Sequence, residues 1–472
     1  MLFGVKRIRV AQVLALGLFL ALGLMIRPGK SATEPPRVTP SPKYADWEEN
    51  RSIELRDPSW DIWRFRDKFS ASLDSIQYAI ERAVAPNSDN RIGKSIPIRA
   101  HIGESFCSFS EQACASLRHP EGYVVRVDSM SIQVMGSDSL GVLHGLTSLQ
   151  ALVEQTQGDL PLGHMASWPT HKIRAFHFVL RNITVEDALR MVGWSREAQM
   201  NTLVIQIADG VSLPSLEGVA RSNAWTEEDF QWFAQIAREH GLQIVPEVKF
   251  LTHQEKLFAK SAPELLYNPK TYDPRKEEVY ERVKAIVDDL DRVLHPQVIH
   301  IGHDEAWGVG TKSVEIKEQR GEPLPPSLFL RDVQRLHRML GKRGISTWMW
   351  ADMLLQPDEL GNAFTKHLRA TADYAALRDS IPKDIVLCDW QYYGSQTHFP
   401  SARILVRAGF DVLGSTWKNE TNTHAFSRYV ASLSSGGRGM IATSWFHVQR
   451  EEWKTVNNIL KTSGEAFWNP EE

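Results

Sequence analysis

Asp304 and Glu305 stand side by side at the end of an apolar run, "VIHIGHDEAWG" over residues 298–308. Cleaving a glycosidic bond needs an acid for the leaving oxygen and something to stabilise the positive charge that grows on the anomeric carbon. In the usual retaining arrangement two carboxyl groups lie on opposite sides of the bond and come from different segments. Adjacent carboxylates fit another chemistry, in which the 2-acetamido oxygen of the substrate attacks the anomeric carbon. Asp304 then holds and balances the acetamido nitrogen, and Glu305 is the acid. A bare Asp-Glu pair carries no information; its place after His300-x-Gly302-x at a strand end does.

These residues need a scaffold that collects strand ends. From about residue 172 onward, apolar β-rich segments alternate with helical patterns. The strands read as 173–180, 202–207, 243–248, 298–303, 346–352, 385–391, 411–416 and 440–445. Thr226 opens one intervening helix and Gly241 sits where its C-cap is expected. Eight strand–helix units over about 300 residues predict an α/β fold, a (β/α)₈ TIM barrel, whose reactive side chains come from the C-terminal strand ends. A doubly wound open sheet is the alternative, but no Gly-rich phosphate fingerprint follows any strand, and nothing in the chain calls for a cofactor.

Those ends carry carboxylates, histidines and aromatics: Asp209, Glu247, His253, His300, Asp304, Glu305, Trp350, Asp352, Trp390, Tyr392, Tyr393, Trp417, Asn419, Trp445 and His447. Carboxylates move protons and accept hydroxyl hydrogen bonds, and aromatic faces pack on sugar rings. Any one of these residues would ordinarily be a core or capping residue; the set around one barrel mouth is harder to explain that way. Of the 15 tryptophans, most are expected in the core.

The N-terminus reads as an export signal or an N-terminal membrane anchor, residues 1–32. Lys6, Arg7 and Arg9 precede an uncharged apolar run over 10–26. No second apolar run of spanning length follows, so the rest is expected beyond the membrane: periplasmic, extracellular, or anchored on the outer side. Residues 33–59 are rich in Pro, Ser and charge and read as a linker. Residues 60–168 show a helical pattern, three strands and a second helical pattern, a small α+β domain; residues 169–472 form the barrel. Cys107 and Cys114 have six residues between them and could close a small disulfide loop or stay unpaired; Cys388 reads as core. No Cys/His cluster has zinc spacing. The formal net charge of -3 offers no basic excess for nucleic acid.

The motifs resemble glycoside hydrolase family 20, the β-N-acetylhexosaminidases. The family's His-x-Gly-Gly-Asp-Glu strand end reads here His300-Ile301-Gly302-His303-Asp304-Glu305, and "EGYVVRVDSMSIQVMGSDSLGVLHGLTSLQALV" (121–153) is similar to the end of the family's non-catalytic domain. The resemblance runs from about residue 60 to the C-terminus. It implies that Arg174, in "KIRAFHFVLRN", binds sugar hydroxyls, and that Asp209 and His253 pair near Glu305 and tune it. Trp350, Trp390 and Trp445 fall where the family places its aromatic walls. The partner implied is an amino-sugar glycan or oligosaccharide.

Departures fall elsewhere. The family's second-strand His is Gln206, and its third-strand Asp is Lys249. Its seventh-strand Tyr and Asp give way to "STWKNETN", with Trp417 and Asn419; Tyr392 or Tyr393 is then the candidate donor to the acetamido oxygen. The eighth-strand Glu is His447, and His303 replaces a Gly. These changes feed a second reading, a carbohydrate-binding or sensor protein on a weakened barrel. A third reading, a metal hydrolase using His300, His303, Asp304 and Asp209, meets the difficulty that strand residues three apart project to opposite faces.

Overall fold

The computed structural model describes residues 36–85, 95–207, 209–306, 321–360, 370–394, 396–433, 435–445 and 452–471. The N-terminal apolar run and His447 lie outside them.

The N-terminal unit is a six-stranded sheet. Its strands are β1 (Tyr44–Glu54), β2 (Pro58–Asp61), β3 (Ile96–Ile102), β4 (Tyr123–Val127), β5 (Ile132–Gly136) and β6 (Asp159–Ser167), in the order β1-β6-β4-β5-β3-β2. Two helices, Arg66–Val84 and Ser139–Thr156, cover one face. The first buries Phe69, Leu73, Ile76 and Ile80, spaced three and four apart, against Leu146, Leu149 and Val153 of the second and Val125 and Val134 of the sheet. Asp138 caps the second helix by accepting the Gly141 N–H at 2.9 Å. On the opposite face a five-residue helix, Glu111–Ala115, is pinned by a disulfide between Cys107 and Cys114, whose Cα atoms are 5.5 Å apart.

Residues 33–59 are not simply a linker. Residues 44–54 are the edge strand β1, paired antiparallel with β6, and 58–61 pair with β3. An edge strand is solvated along most of its length. Here Tyr44, Trp47 and Ile53 are its only partly covered side chains, so the polar residues between them hide the periodicity.

The remaining chain is a closed, all-parallel barrel. Its eight strands are β7 (Ile173–Leu180), β8 (Thr202–Ile207), β9 (Gln243–Phe250), β12 (Val298–Gly302), β13 (Ser346–Trp350), β14 (Val386–Trp390), β15 (Val412–Thr416) and β16 (Gly437–Ser444). A short hairpin, β10 (Leu266–Asn268) and β11 (Thr271–Tyr272), follows β9 outside it. β16 closes onto β7 in register from Gly439 opposite Ile173 to Ser444 opposite Phe178. The strands read as near-continuous apolar runs because parallel strands are covered on both faces. Ala175, Val204, Val245, Trp348, Cys388, Leu413 and Ile441 fill the lumen. Helix ends follow local chemistry. Thr226 and Asp229 form a reciprocal capping box, and Gly241, at φ +76°, ends the same helix in a conformation that disfavours any Cβ.

The last helix, Trp453–Trp468, crosses back to the N-terminal unit. Trp468 is buried in that unit's core and donates its indole N–H to Ser167 at 2.7 Å.

Candidate active site

The C-terminal strand ends open on one cavity of about 580 Å³. Trp350, Trp390, Trp417, Trp445, Tyr392 and Tyr393 wall it; Lys249, His253, Asp304 and Glu305 supply its charge, with Glu255 and Lys256 also lining it.

The Asp304–Glu305 corner depends on unusual backbone. Gly302, His303 and Glu305 all have positive φ, +75°, +70° and +48°. For residues with a Cβ such conformations are costly and persist where surroundings over-determine them. His303 is held below the corner: Nε2 meets Asp332 at 2.9 Å and Nδ1 meets the Ile301 carbonyl at 2.9 Å. Asp332 also accepts from Tyr272 and Tyr280. His303 therefore points away from the cavity, while His300 lies tilted beside Trp350, 4.6 Å between ring centres. The two histidines diverge.

Asp304 is enclosed by cations. Lys249 donates to both its oxygens, at 3.0 and 2.8 Å, and His253 Nε2 lies 3.3 Å from Oδ2. Burial alone would raise the carboxyl's pKa; Lys249, then His253, outweigh it and hold the pKa well below the ordinary range. Burial likewise works against charge on the His253 ring, and Asp304 more than offsets it, so that pKa rises. Glu305 differs from its neighbour: its side chain keeps 37% exposure, with Oε2 3.7 Å from His253. One carboxylate is thus fixed as an anion and the other faces the cavity.

Glu247 is the hub beneath. It accepts from the Trp350 indole at 2.9 Å and meets His177 at 2.8 Å and Lys249 at 2.9 Å. Burial opposes its charge, but Lys249 and His177 prevail and its pKa is lowered. The same network raises that of Lys249 against burial, through Asp304 and Glu247. A buried Lys between two carboxylates offsets one of their two negative charges while bonding both. The turn that brings His253 inward runs through Leu251 and His253 at φ +63° and +56°, braced by the Gln254 amide donating to the Lys249 and Thr252 carbonyls.

The aromatic walls lock one another. Trp445 donates its indole N–H to the Tyr392 hydroxyl at 3.0 Å, Trp390 stacks on Tyr392 at 5.2 Å, and Trp350 and Trp445 are 5.6 Å apart. Tyr392 is buried in this wall. Tyr393 stands at the rim, 61% exposed. Asn419 caps a helix by accepting the Asn422 N–H.

Two residues have other partners than expected. Arg174 is second in the eight-residue β7, so its side chain lies at the N-terminal end of the barrel, opposite the cavity. It is 1% exposed and donates to Glu121 at 2.5 Å and to the Gln199 and His171 carbonyls, with its guanidinium 4.9 Å from the Trp468 ring. It ties the barrel to the N-terminal unit and binds no ligand in the cavity. The β7 residue that packs against the cavity wall is His177, three positions on, 4.5 Å from the Trp445 ring. Asp209 does sit beyond the end of β8, but its ion-pair partners are Arg181 and Lys260, each at 3.4 Å, whereas His253 turns to Asp304 and Glu305. Sequence reasoning also undervalued Lys249, Glu247 and Asp352. Their positions at strand ends were visible, but their mutual contacts cross strands and leave no local pattern.

Residues 182–418, half of the chain, match the model of the glycosyl hydrolase family 20 catalytic domain. Lacto-N-biosidase of Bifidobacterium bifidum is 22% identical over 313 residues, covering 63% of this chain and 26% of that protein. Beta-hexosaminidase 1 of Coccidioides posadasii is 21% identical over 323 residues, covering 59% of this chain and 51% of that one. The chain thus aligns with about a quarter to a half of the length of these curated relatives. Among solved structures, the family 20 β-N-acetylhexosaminidase of Streptomyces coelicolor A3(2) superposes with a TM-score of 0.67 at 14% identity, covering 92% of this chain and 91% of that one. The β-N-acetylhexosaminidase of Bacteroides fragilis gives 0.64 at 16% identity, with 92% and 91% covered. The fold is shared across nearly the whole chain, the family match spans the strand ends that carry Lys249, His253, Asp304 and Glu305, and the chain belongs to glycosyl hydrolase family 20.

Proposed function

We propose that the protein removes terminal β-linked N-acetylhexosamine from an amino-sugar glycan, with retention, by using the substrate's own acetamido group. The acetamido oxygen bonds to the anomeric carbon as the bond to the leaving oxygen breaks, and Glu305 gives that oxygen its proton. The positive charge of the cyclised intermediate falls beside Asp304. Glu305, now a carboxylate, takes a proton from water as the water opens the ring. The observation that carries this reading is the unequal treatment of two adjacent carboxyls. Asp304 is held ionised by Lys249 and His253, while Glu305 keeps access to the cavity. The names of the hexosaminidase relatives support the same substrate class.

A carbohydrate-binding or sensor role is the second reading. The observation in its favour is that Lys249 already occupies both oxygens of Asp304. Export is part of the proposal too. The Cys107–Cys114 bridge suits an oxidising compartment, as does the charged and apolar N-terminal segment.

The deciding experiment compares aryl N-acetyl-β-glucosaminide, N-acetyl-β-galactosaminide and plain β-glucoside, alongside a thiazoline mimic of the cyclised intermediate. Cleavage restricted to acetamido sugars, with tight thiazoline binding, is expected. Equal cleavage of all three overturns the acetamido mechanism. Sugar binding without turnover favours the second reading.

A further inference from the structure

Asp352 lies buried in the turn Asp352–Leu354 just past β13, and it joins two parts of the site that no covalent link connects. Its Oδ2 accepts the backbone N–H of Glu305 at 2.8 Å, and its Oδ1 accepts the Trp390 indole N–H at 3.3 Å. We propose that Asp352 is a positioning residue for the acid. It holds Glu305 in its left-handed backbone conformation and registers that backbone against the Trp390 wall of the cavity. The proposal rests on Glu305 being the proton donor.

The need for such a device follows from the geometry. At φ +48° the Glu305 backbone is in a costly region that persists only where its surroundings over-determine it. A hydrogen bond from that residue's own N–H to a buried carboxyl is a direct demand. Trp390 is part of the wall against which a sugar would pack, so the same carboxyl fixes the acid relative to the substrate's position.

The charged groups facing Asp352 are Asp304 and Glu305, both from the end of β12; β14 contributes the uncharged Trp390 indole. Lys249 and His253, from β9, engage Asp304. Burial first, and Asp304 next, push the Asp352 pKa up to about 7, against the pull of the Glu305 N–H. Below that pH Asp352 is neutral. Above it, a further anion stands beside Glu305 and favours retention of the acid's proton. An Asn at this position cannot ionise, so Glu305 loses that support at alkaline pH. It also offers one acceptor oxygen where Asp offers two, so one of the two hydrogen bonds is lost.

The test uses the full chain with isotope-labelled tryptophan, comparing wild type, Asp352→Asn and Asp352→Ala, with Trp390→Phe to identify the Trp390 indole signal. In resting wild type that signal is expected to titrate with a midpoint near 7, and in Asp352→Asn to be flat. Asp352→Asn should shift the alkaline limb of kcat/KM down by about half a pH unit or more. Asp352→Ala should lower kcat by about tenfold or more with little change in KM. A wild-type Trp390 signal that does not titrate, or an Asp352→Asn rate profile that overlays wild type, overturns the proposal. If Asp352→Ala does not fold, the isosteric Asn variant decides. If wild type turns over no substrate, the hexosaminidase reading fails, and the indole titration still judges Asp352.

Discussion

Lys249 Nζ lies 2.8 and 3.0 Å from the two oxygens of Asp304 and 2.9 Å from Glu247, so one buried ammonium bridges two carboxylates at the cavity. The family pattern places an Asp at this position. The exchange to Lys converts the surroundings of Asp304 from carboxylate to cation. That cation favours the ionised form of Asp304, and the proposed mechanism accordingly takes Glu305 as the proton donor.

Lys249→Met should unfold far more easily than wild type. Removing one partner of a buried ion pair typically costs about 3–5 kcal/mol, because the other charge is left uncompensated. The Asp304 pKa is depressed in the folded state, so its contribution is present above the unfolded value near 4 and disappears as pH falls below it. Urea unfolding of wild type should accordingly weaken steeply below about pH 4, and the variant should lose much of that slope. Identical slopes would mean that Lys249 does not hold Asp304 ionised.

Glu305→Gln keeps the shape of the acid and removes its proton. Turnover of an aryl N-acetyl-β-glucosaminide is expected to fall by about a hundred- to ten-thousandfold, with the unfolding temperature unchanged. An unaltered rate would remove Glu305 from the mechanism. Asp304→Asn should harm acetamido substrates most; an equal loss on a weakly cleaved substrate without the acetamido group counts against its role.

His253 should titrate above the free-imidazole value of about 6.5, because Asp304 and Glu305 favour its cation against burial. The stabilisation this lends is complete below the unfolded pKa and is lost as pH rises through the folded one. Imidazole proton resonances followed across neutral pH would show it. In Asp304→Asn the midpoint should drop. A midpoint indifferent to Asp304 would break the link between the two residues.

Arg174→Ala is expected to act on stability and not on substrate affinity. Its guanidinium is buried against Glu121, whose own pKa is held low against burial by Arg174 and then His144. Stranding that carboxylate should cost about 3–5 kcal/mol, while KM stays near wild type in whatever fraction remains folded. A large rise in KM in a stable variant would restore Arg174 to the substrate site.

The barrel was legible in the sequence because its strands are short apolar runs with helical spacing between them, and β7 and β8 run over the residues expected. A strand end also announces which side chains can reach the mouth, which is how Trp350, Trp390, Trp445, His253 and the Asp304–Glu305 pair could be named together. Depth along a strand is less visible. Arg174 aligns with a family position, yet it is two residues into β7 and so lies at the far end of the barrel. Partner choice is less visible still. Asp209 and His253 come from neighbouring strand ends, but Arg181 and Lys260 claim one and Asp304 the other, a competition between groups distant in sequence. The edge strand Tyr44–Glu54 escaped notice because water, not protein, covers most of its side chains.

Trp468 gives the molecule an order of assembly. Its ring fills the core of the N-terminal unit and its indole bonds Ser167, yet it is made some 300 residues after that strand leaves the ribosome. The core of the N-terminal unit is therefore completed by a helix that follows all eight barrel strands in the sequence. That core lacks its Trp468 ring until the helix Trp453–Trp468 has docked, so the two units are bound to complete their folding together.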